Sequence, residues 1–127
     1  MTDRPTYRLG DLQLRIMRVL WESGPATVAE VKRQLGGNRL AYTTVATMLR
    51  KMEDRGLLRH CQKGRTFIYQ PVVSAEEVTR SMTHDLVDRL FEGNLADTVA
   101  HLLETREVSR QELARLERLI QQRKKQR

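Results

Sequence analysis

The stretch AYTTVATMLRKMEDRG, residues 41–56, followed at once by LLRHCQKGRTFIYQP, residues 57–71, decides the fold. In the first part Val45, Met48, Leu49 and Met52 recur at steps of three and four, the spacing that gathers side chains on one face of a helix. The other side carries Thr43, Ala46, Thr47, Arg50 and Lys51, polar and basic with small residues near the helix start. Gly56 ends this helix, which is expected from about Ala41 to Arg55. In the second part the period changes. Leu57–Gln62 and Thr66–Pro71 bring Leu, Cys, Phe, Ile and Tyr to either side of Lys63-Gly64. That pattern reads as a β-hairpin with Lys63 and Arg65 at or beside its tip.

Working upstream, Leu9, Leu12, Ile16, Val19 and Leu20 mark a first helix over Leu9–Glu22, stopped by Ser23-Gly24-Pro25. Thr27 is placed to cap a short helix reaching about Leu35, with Val28, Val31 and Leu35 on one face. Gly36-Gly37-Asn38 is a turn. Helix, helix, turn, helix and basic hairpin, in that order, make a winged helix-turn-helix. The expected fold class is mainly α with a small β-hairpin wing.

Downstream, Ser74-Ala75-Glu76-Glu77 and Ser109-Arg110-Gln111-Glu112 are capping boxes, each opening a helix. The first runs to about Phe91, before the Gly93-Asn94 break; a further helix covers about Leu95–Glu104. Val78, Met82, Leu86, Leu90, Phe91, Val99, Leu102, Leu103, Leu113, Leu116 and Ile120 line these helices. That is much apolar surface for a lobe of this size, and small lobes bury their own surface poorly. Pairing with a second copy covers it, so these residues are the candidate homodimer contacts. Packing back onto the first lobe is the alternative.

Charge divides the chain in the same place. Residues 1–73 hold 13 Lys/Arg against 6 Asp/Glu, whereas residues 74–127 hold 10 of each. The whole net charge of +7 therefore lies in the first part. A basic unit joined to a neutral one points to polyanion binding with separate assembly. The expected domains are a DNA-binding winged helix over 1–73 and a helical dimerisation region with a basic tail over 74–127.

A helix-turn-helix sets the N-terminal residues of its recognition helix into the major groove. Thr43, Thr44, Ala46 and Thr47 thus lie nearest base edges, offering hydroxyls for hydrogen bonds and methyls for thymine. Arg50 and Lys51 sit further along and suit phosphates, as do Lys63 and Arg65 on the wing. Arg39 and Tyr42 are further phosphate candidates, with packing at the helix start as the other role for Tyr42.

Several of these stretches resemble the penicillinase-repressor (BlaI/MecI/CopY) family. The resemblance is carried by Leu20-Trp21-Glu22, Gly24-Pro25-Ala26-Thr27, Ala41 through Leu49, Gly64 through Tyr69, Pro71-Val72-Val73-Ser74 and Leu90-Phe91-Glu92-Gly93. It extends from about Leu9 to Ile120 and implies repression by a dimer on a palindromic operator, in a family that controls β-lactam resistance or copper homeostasis genes. The chain departs from the family at two places. Copper-responsive members carry a C-terminal Cys-x-Cys pair, and residues 121–127 contain no cysteine. In β-lactam-responsive members a sensor protease cuts an Asn-Phe bond. The matching bond here is His101–Leu102, which leaves the inducing signal open.

Other classes find little support. The sequence has no Gly-rich phosphate loop, nucleophile elbow or paired-histidine zinc motif, and no enzyme activity is expected. His60 and Cys61 are neighbours on a strand and point to opposite faces, so neither a metal site nor a cofactor is expected. His84 and Asp88, at i and i+4, read as a surface pair. No run approaches the ~18 apolar residues of a membrane span, and Met1–Pro5 leads into no signal-peptide core, so a cytoplasmic protein is expected. Two rivals remain: a winged-helix regulator with a small-molecule pocket between its lobes, and a winged helix that binds proteins alone. The charge division disfavours the second.

Overall fold

The computed structural model describes residues 6–36 and 39–126. Gly37 and Asn38 of the expected turn lie outside the described residues. The elements run α1 (Asp11–Ser23), β1 (Ala26–Thr27), α2 (Val28–Gln34), α3 (Tyr42–Asp54), β2 (Leu58–Lys63), β3 (Thr66–Pro71), α4 (Ala75–Phe91), α5 (Leu95–Thr105) and α6 (Arg110–Lys125).

Local chemistry accounts for most boundaries. Thr27 Oγ1 accepts from the Glu30 N–H at 3.2 Å while Glu30 Oε1 accepts from the Thr27 N–H at 2.9 Å, a reciprocal cap on α2. Ser74 and Glu77 repeat the device on α4, and Ser109 caps α6 through the Glu112 N–H at 3.0 Å. Asn94 caps α5 through the Asp97 N–H at 2.9 Å. Gly56 follows α3 with φ +82, a left-handed conformation that glycine adopts without steric cost.

The first unit, residues 1–85, is built on α1 to α3, the sheet and the start of α4. Ile16, Met17, Val31, Val45, Leu49 and Met52 are each 0% exposed. Each such apolar side chain contributes roughly 1.5–3 kcal/mol by leaving water. The sheet is antiparallel in the order β1-β3-β2. The two-residue strand β1, which the sequence pattern does not mark, pairs Ala26 with Tyr69 and Thr27 with Ile68. Gly64-Arg65 is the loop between β2 and β3, and Lys63 is paired with Thr66 rather than lying in the turn. Gly64 has φ +61, the first central position of a type II′ hairpin turn.

The start of α4 belongs with this core. Val78 is 1% exposed and lies in the same apolar cluster, with Met82 half-buried against it. The expected assignment of Val78 to a dimer surface is corrected accordingly: its side chain belongs to the N-terminal core, while Met82 is only partly covered. The Tyr7 N–H donates to Ser81 Oγ at 2.9 Å, and the Trp21 indole donates to the Val73 carbonyl at 2.9 Å. The two compact units therefore part between Asp85 and Leu86, inside α4, while the charge and capping pattern puts the boundary at 73/74.

The second unit, residues 86–127, holds the end of α4 with α5 and α6. Among its described residues Thr98 is buried, its hydroxyl donating to the Asn94 carbonyl at 2.9 Å. Phe91 and His101 lie with ring centroids 5.7 Å apart. None of the residues of α6 is buried, and Leu86, Leu90, Leu95, Leu102, Leu103, Leu113, Leu119 and Ile120 are all exposed. Among the described residues no helix is long and apolar enough to cross a membrane.

Candidate nucleic-acid interface

The inner face of α3 is fixed by Val45, Leu49 and Met52, all fully buried. Gln13 on α1 adds a contact, its Nε2 lying 3.6 Å from Met48 Sδ. With that face packed into the core, the outer residues of the helix are turned away from it. Thr43, Thr44, Thr47, Arg50 and Lys51 are exposed, and Tyr42 is 54% exposed rather than packed at the helix start. Ala46 differs from expectation. It is half-buried and packs against the core, because it lies between the outer row and Val45. Arg39 is exposed just ahead of the helix.

The start of α3 has a feature that apolar periodicity does not show. Ala41 occupies the cap position and makes no side-chain cap hydrogen bond, and the first turn contains no acid. By contrast α2, α4, α5 and α6 are capped by Thr27, Ser74, Asn94 and Ser109. The leading N–H groups of α3 are thus left without a side-chain cap at an electropositive helix end, suited to a phosphate oxygen. The signal in the sequence is the alanine itself, at a position where Ser, Thr, Asp or Asn is usual.

The wing stands on the same core. Leu58 and Tyr69 at its base are buried, whereas residues 59–67, including Lys63 and Arg65, are exposed. Burial pushes the Tyr69 hydroxyl above its ordinary pKa, and the Glu53 carboxylate adds to the effect. One face of the hairpin carries His60, Phe67 and Tyr69. The His60 and Phe67 rings stack at 4.1 Å with an interplanar angle of 15°, and Tyr69 lies 5.6 Å from His60. Cys61 is a free, exposed thiol. Among the described residues no group of three or more His, Cys, Asp or Glu is assembled to hold a metal.

In the second unit, Val99, Leu102, Leu103, Val108 and Leu116 line an open groove of ≈340 Å³. His101 and Leu102 lie within α5, and the His101 carbonyl also accepts from the Thr105 hydroxyl at 2.8 Å.

Three helices, a three-stranded sheet and an exposed basic wing define a winged helix-turn-helix protein. The chain belongs to the penicillinase-repressor family, whose profile matches residues 9–122. It is 26% identical over 118 residues to the penicillinase repressor of Bacillus licheniformis, an alignment covering 92% of each chain. It is 32% identical over 100 residues to the transcriptional regulator BlaI of Mycobacterium tuberculosis (strain CDC 1551 / Oshkosh), covering 76% of this chain and 72% of that one. Among solved structures, the DNA-binding domain of the repressor BlaI superposes with a TM-score of 0.50 at 28% identity. That match covers 61% of this chain and 93% of the other.

Proposed function

We propose that this protein is a transcriptional repressor that binds a palindromic DNA operator as a homodimer. The observation that carries the reading is the exposed row Thr43, Thr44, Thr47 and Arg50, held on a helix whose opposite face is fully buried, in the same unit as the basic wing tip. The threonines face base edges, while Arg50, Lys51, Lys63 and Arg65 supply phosphate contacts, joined by Arg39 and Tyr42. Ala46 contributes at most its methyl group. The exposed leucines of the second unit supply the dimer contact, through Leu86, Leu90, Leu102, Leu103, Leu113 and Ile120 together with Phe91, Val99 and Leu116. The relatives named as repressors support this reading. Operon control by such a protein needs no catalytic residue and no cofactor, and its place is with the DNA in the cytoplasm. The test is selection of bound fragments from the source genome, followed by titration of the recovered site against its scrambled counterpart. Equal affinity for both overturns the reading.

A second reading, a repressor released by a small ligand, draws on a groove of ≈430 Å³ within the first unit. Leu14, Arg18 and Trp21 of α1 face Val78 and Met82 of α4 across it. Its volume falls in the range of small-molecule sites. A thermal-shift screen on the DNA-free protein tests it, and a ligand that stabilises the protein while weakening operator binding supports it.

A further inference from the structure

The wing and the recognition helix are joined by a polar contact that the DNA-facing residues do not include. His60 Nδ1, on β2, lies 2.7 Å from Glu53 Oε1 and 2.8 Å from Oε2, on the last turn of α3. The two side chains are 31% and 26% exposed, and the imidazole is backed by the Phe67 ring at 4.1 Å. Beyond this point residues 61–67 are all exposed, so the hairpin reaches outward on strand pairing and the direction of Lys63 and Arg65 is inherited from its base.

We propose that His60 is a positioning residue that straps the wing to the recognition helix through the Glu53 carboxylate, so that protonating the imidazole tightens operator binding without His60 touching DNA. The inference rests on the DNA-binding function proposed above. A neutral imidazole offers one N–H, which the tautomer places either on Nδ1 or away from Glu53. The protonated ring always presents Nδ1–H, and a charge-assisted bond is roughly twice as strong as a neutral one. The imidazole is the side chain that ordinarily changes charge between about pH 5 and 8. From β3 the Tyr69 ring lies against it, and the Tyr69 hydroxyl in turn feels the charges of Glu53, Arg50 and Tyr42 on α3. On the opposite face of the hairpin Arg59 is the strand partner of Gln70.

The experiment titrates the full chain on its operator by fluorescence anisotropy between about pH 5.5 and 8.5 at fixed ionic strength. The wild type is expected to lose about threefold in affinity as pH rises, the scale of an exposed ion pair. His60→Asn, which keeps a neutral donor near the Nδ1 position, and Glu53→Gln, which keeps an acceptor, are both expected to flatten the profile, the first near the wild-type alkaline value and the second somewhat above it because a negative charge is removed. A variant carrying His84→Gln and His101→Gln is expected to keep the step. A flat wild-type profile overturns the proposal. So does a full-sized step in Glu53→Gln, since His60 then acts on DNA as a plain charge. Absence of operator binding at every pH is instead a failure of the DNA-binding reading. The strap is then read in free protein by amide exchange of β2 and β3. Glu53→Gln is expected to speed that exchange on the acid side alone, and an unchanged pattern overturns the strap.

Discussion

The indole N–H of Trp21, on α1, donates to the backbone carbonyl of Val73 at 2.9 Å, tying the first helix to the residue that precedes the Ser74 cap of α4. Val73 is itself 8% exposed. Trp21→Phe keeps most of the apolar surface and deletes the donor. Leaving a buried carbonyl without its partner costs about 1–3 kcal/mol. Urea denaturation should therefore show a lower midpoint at unchanged slope, and a midpoint equal to wild type refutes the role.

The reciprocal cap on α2 makes two linked expectations. Thr27→Ala removes the hydroxyl that accepts from the Glu30 N–H and should cost ~1 kcal/mol. The Thr27 N–H and then the Thr27 hydroxyl hold the Glu30 carboxyl below its usual pKa. A depressed carboxylate stabilises the fold above its unfolded pKa, and that contribution fades as pH falls through the folded value. Glu30→Gln keeps an acceptor and cannot titrate, so its stability should vary less with acid than that of the wild type. Parallel acid profiles in chemical denaturation refute the linkage.

Assembly is testable by mass. Sedimentation at micromolar concentration should give twice 14.8 kDa. Leu102→Glu combined with Leu103→Glu places charge among exposed leucines of the second unit and should return the monomer with its helical circular dichroism retained. A wild-type monomer, or a double variant that stays dimeric, contradicts the proposed interface.

Sequence reading and affinity should separate on the DNA side. A winged-helix dimer binds half-sites about one helical turn, or a multiple of one, apart. Thr47→Ala should forfeit part of the ~1–3 kcal/mol carried by a matched base pair and relax preference there. Lys63→Ala should weaken operator and random DNA alike. It should also make the salt dependence shallower by about one log–log unit, doubled if both subunits contribute. The docking is wrong if Lys63→Ala changes neither quantity while Thr47→Ala weakens both DNAs equally.

The bond matching the family's cleaved Asn-Phe is His101–Leu102, and it lies inside α5, where the His101 carbonyl already accepts from Thr105. A sensor protease of the usual specificity should leave it intact, because neither side chain matches the Asn-Phe pair. Co-expression with such a protease and mass spectrometry of the product decide this; a clean cut between His101 and Leu102 overturns it.

What could be read directly from the sequence follows from how local each signal is. The helices and their caps were legible because Thr27, Ser74 and Ser109 act on N–H groups three residues away. The hairpin was legible from its change of period and from Gly64. The two-residue strand β1 was not, since Ala26 and Thr27 become a strand through pairing with Tyr69 and Ile68, distant in sequence. Val78 illustrates a different failure. Its helical phase is plain in the sequence, but periodicity marks an apolar face without saying what covers it, and the first lobe does. Ala46 shows the limit of a helical wheel, where a small residue lying between two faces is counted with the outer one although it is half-covered by the core. The Glu53–His60 contact joins two elements through side chains whose separate patterns announce nothing.

The two-residue turn at Gly64-Arg65 limits how the wing can vary in length among relatives. Lys63 pairs with Thr66, and side chains alternate faces at every step along both strands. Residues added in matched pairs, one on each side of the tip, lengthen the hairpin while leaving His60, Phe67 and Tyr69 on their shared face. A single added residue shifts the pairing by one and turns one strand over, putting Phe67 where Ile68 now lies. Natural variation in wing length is therefore expected in even increments at the tip, with odd insertions accompanied by a bulge.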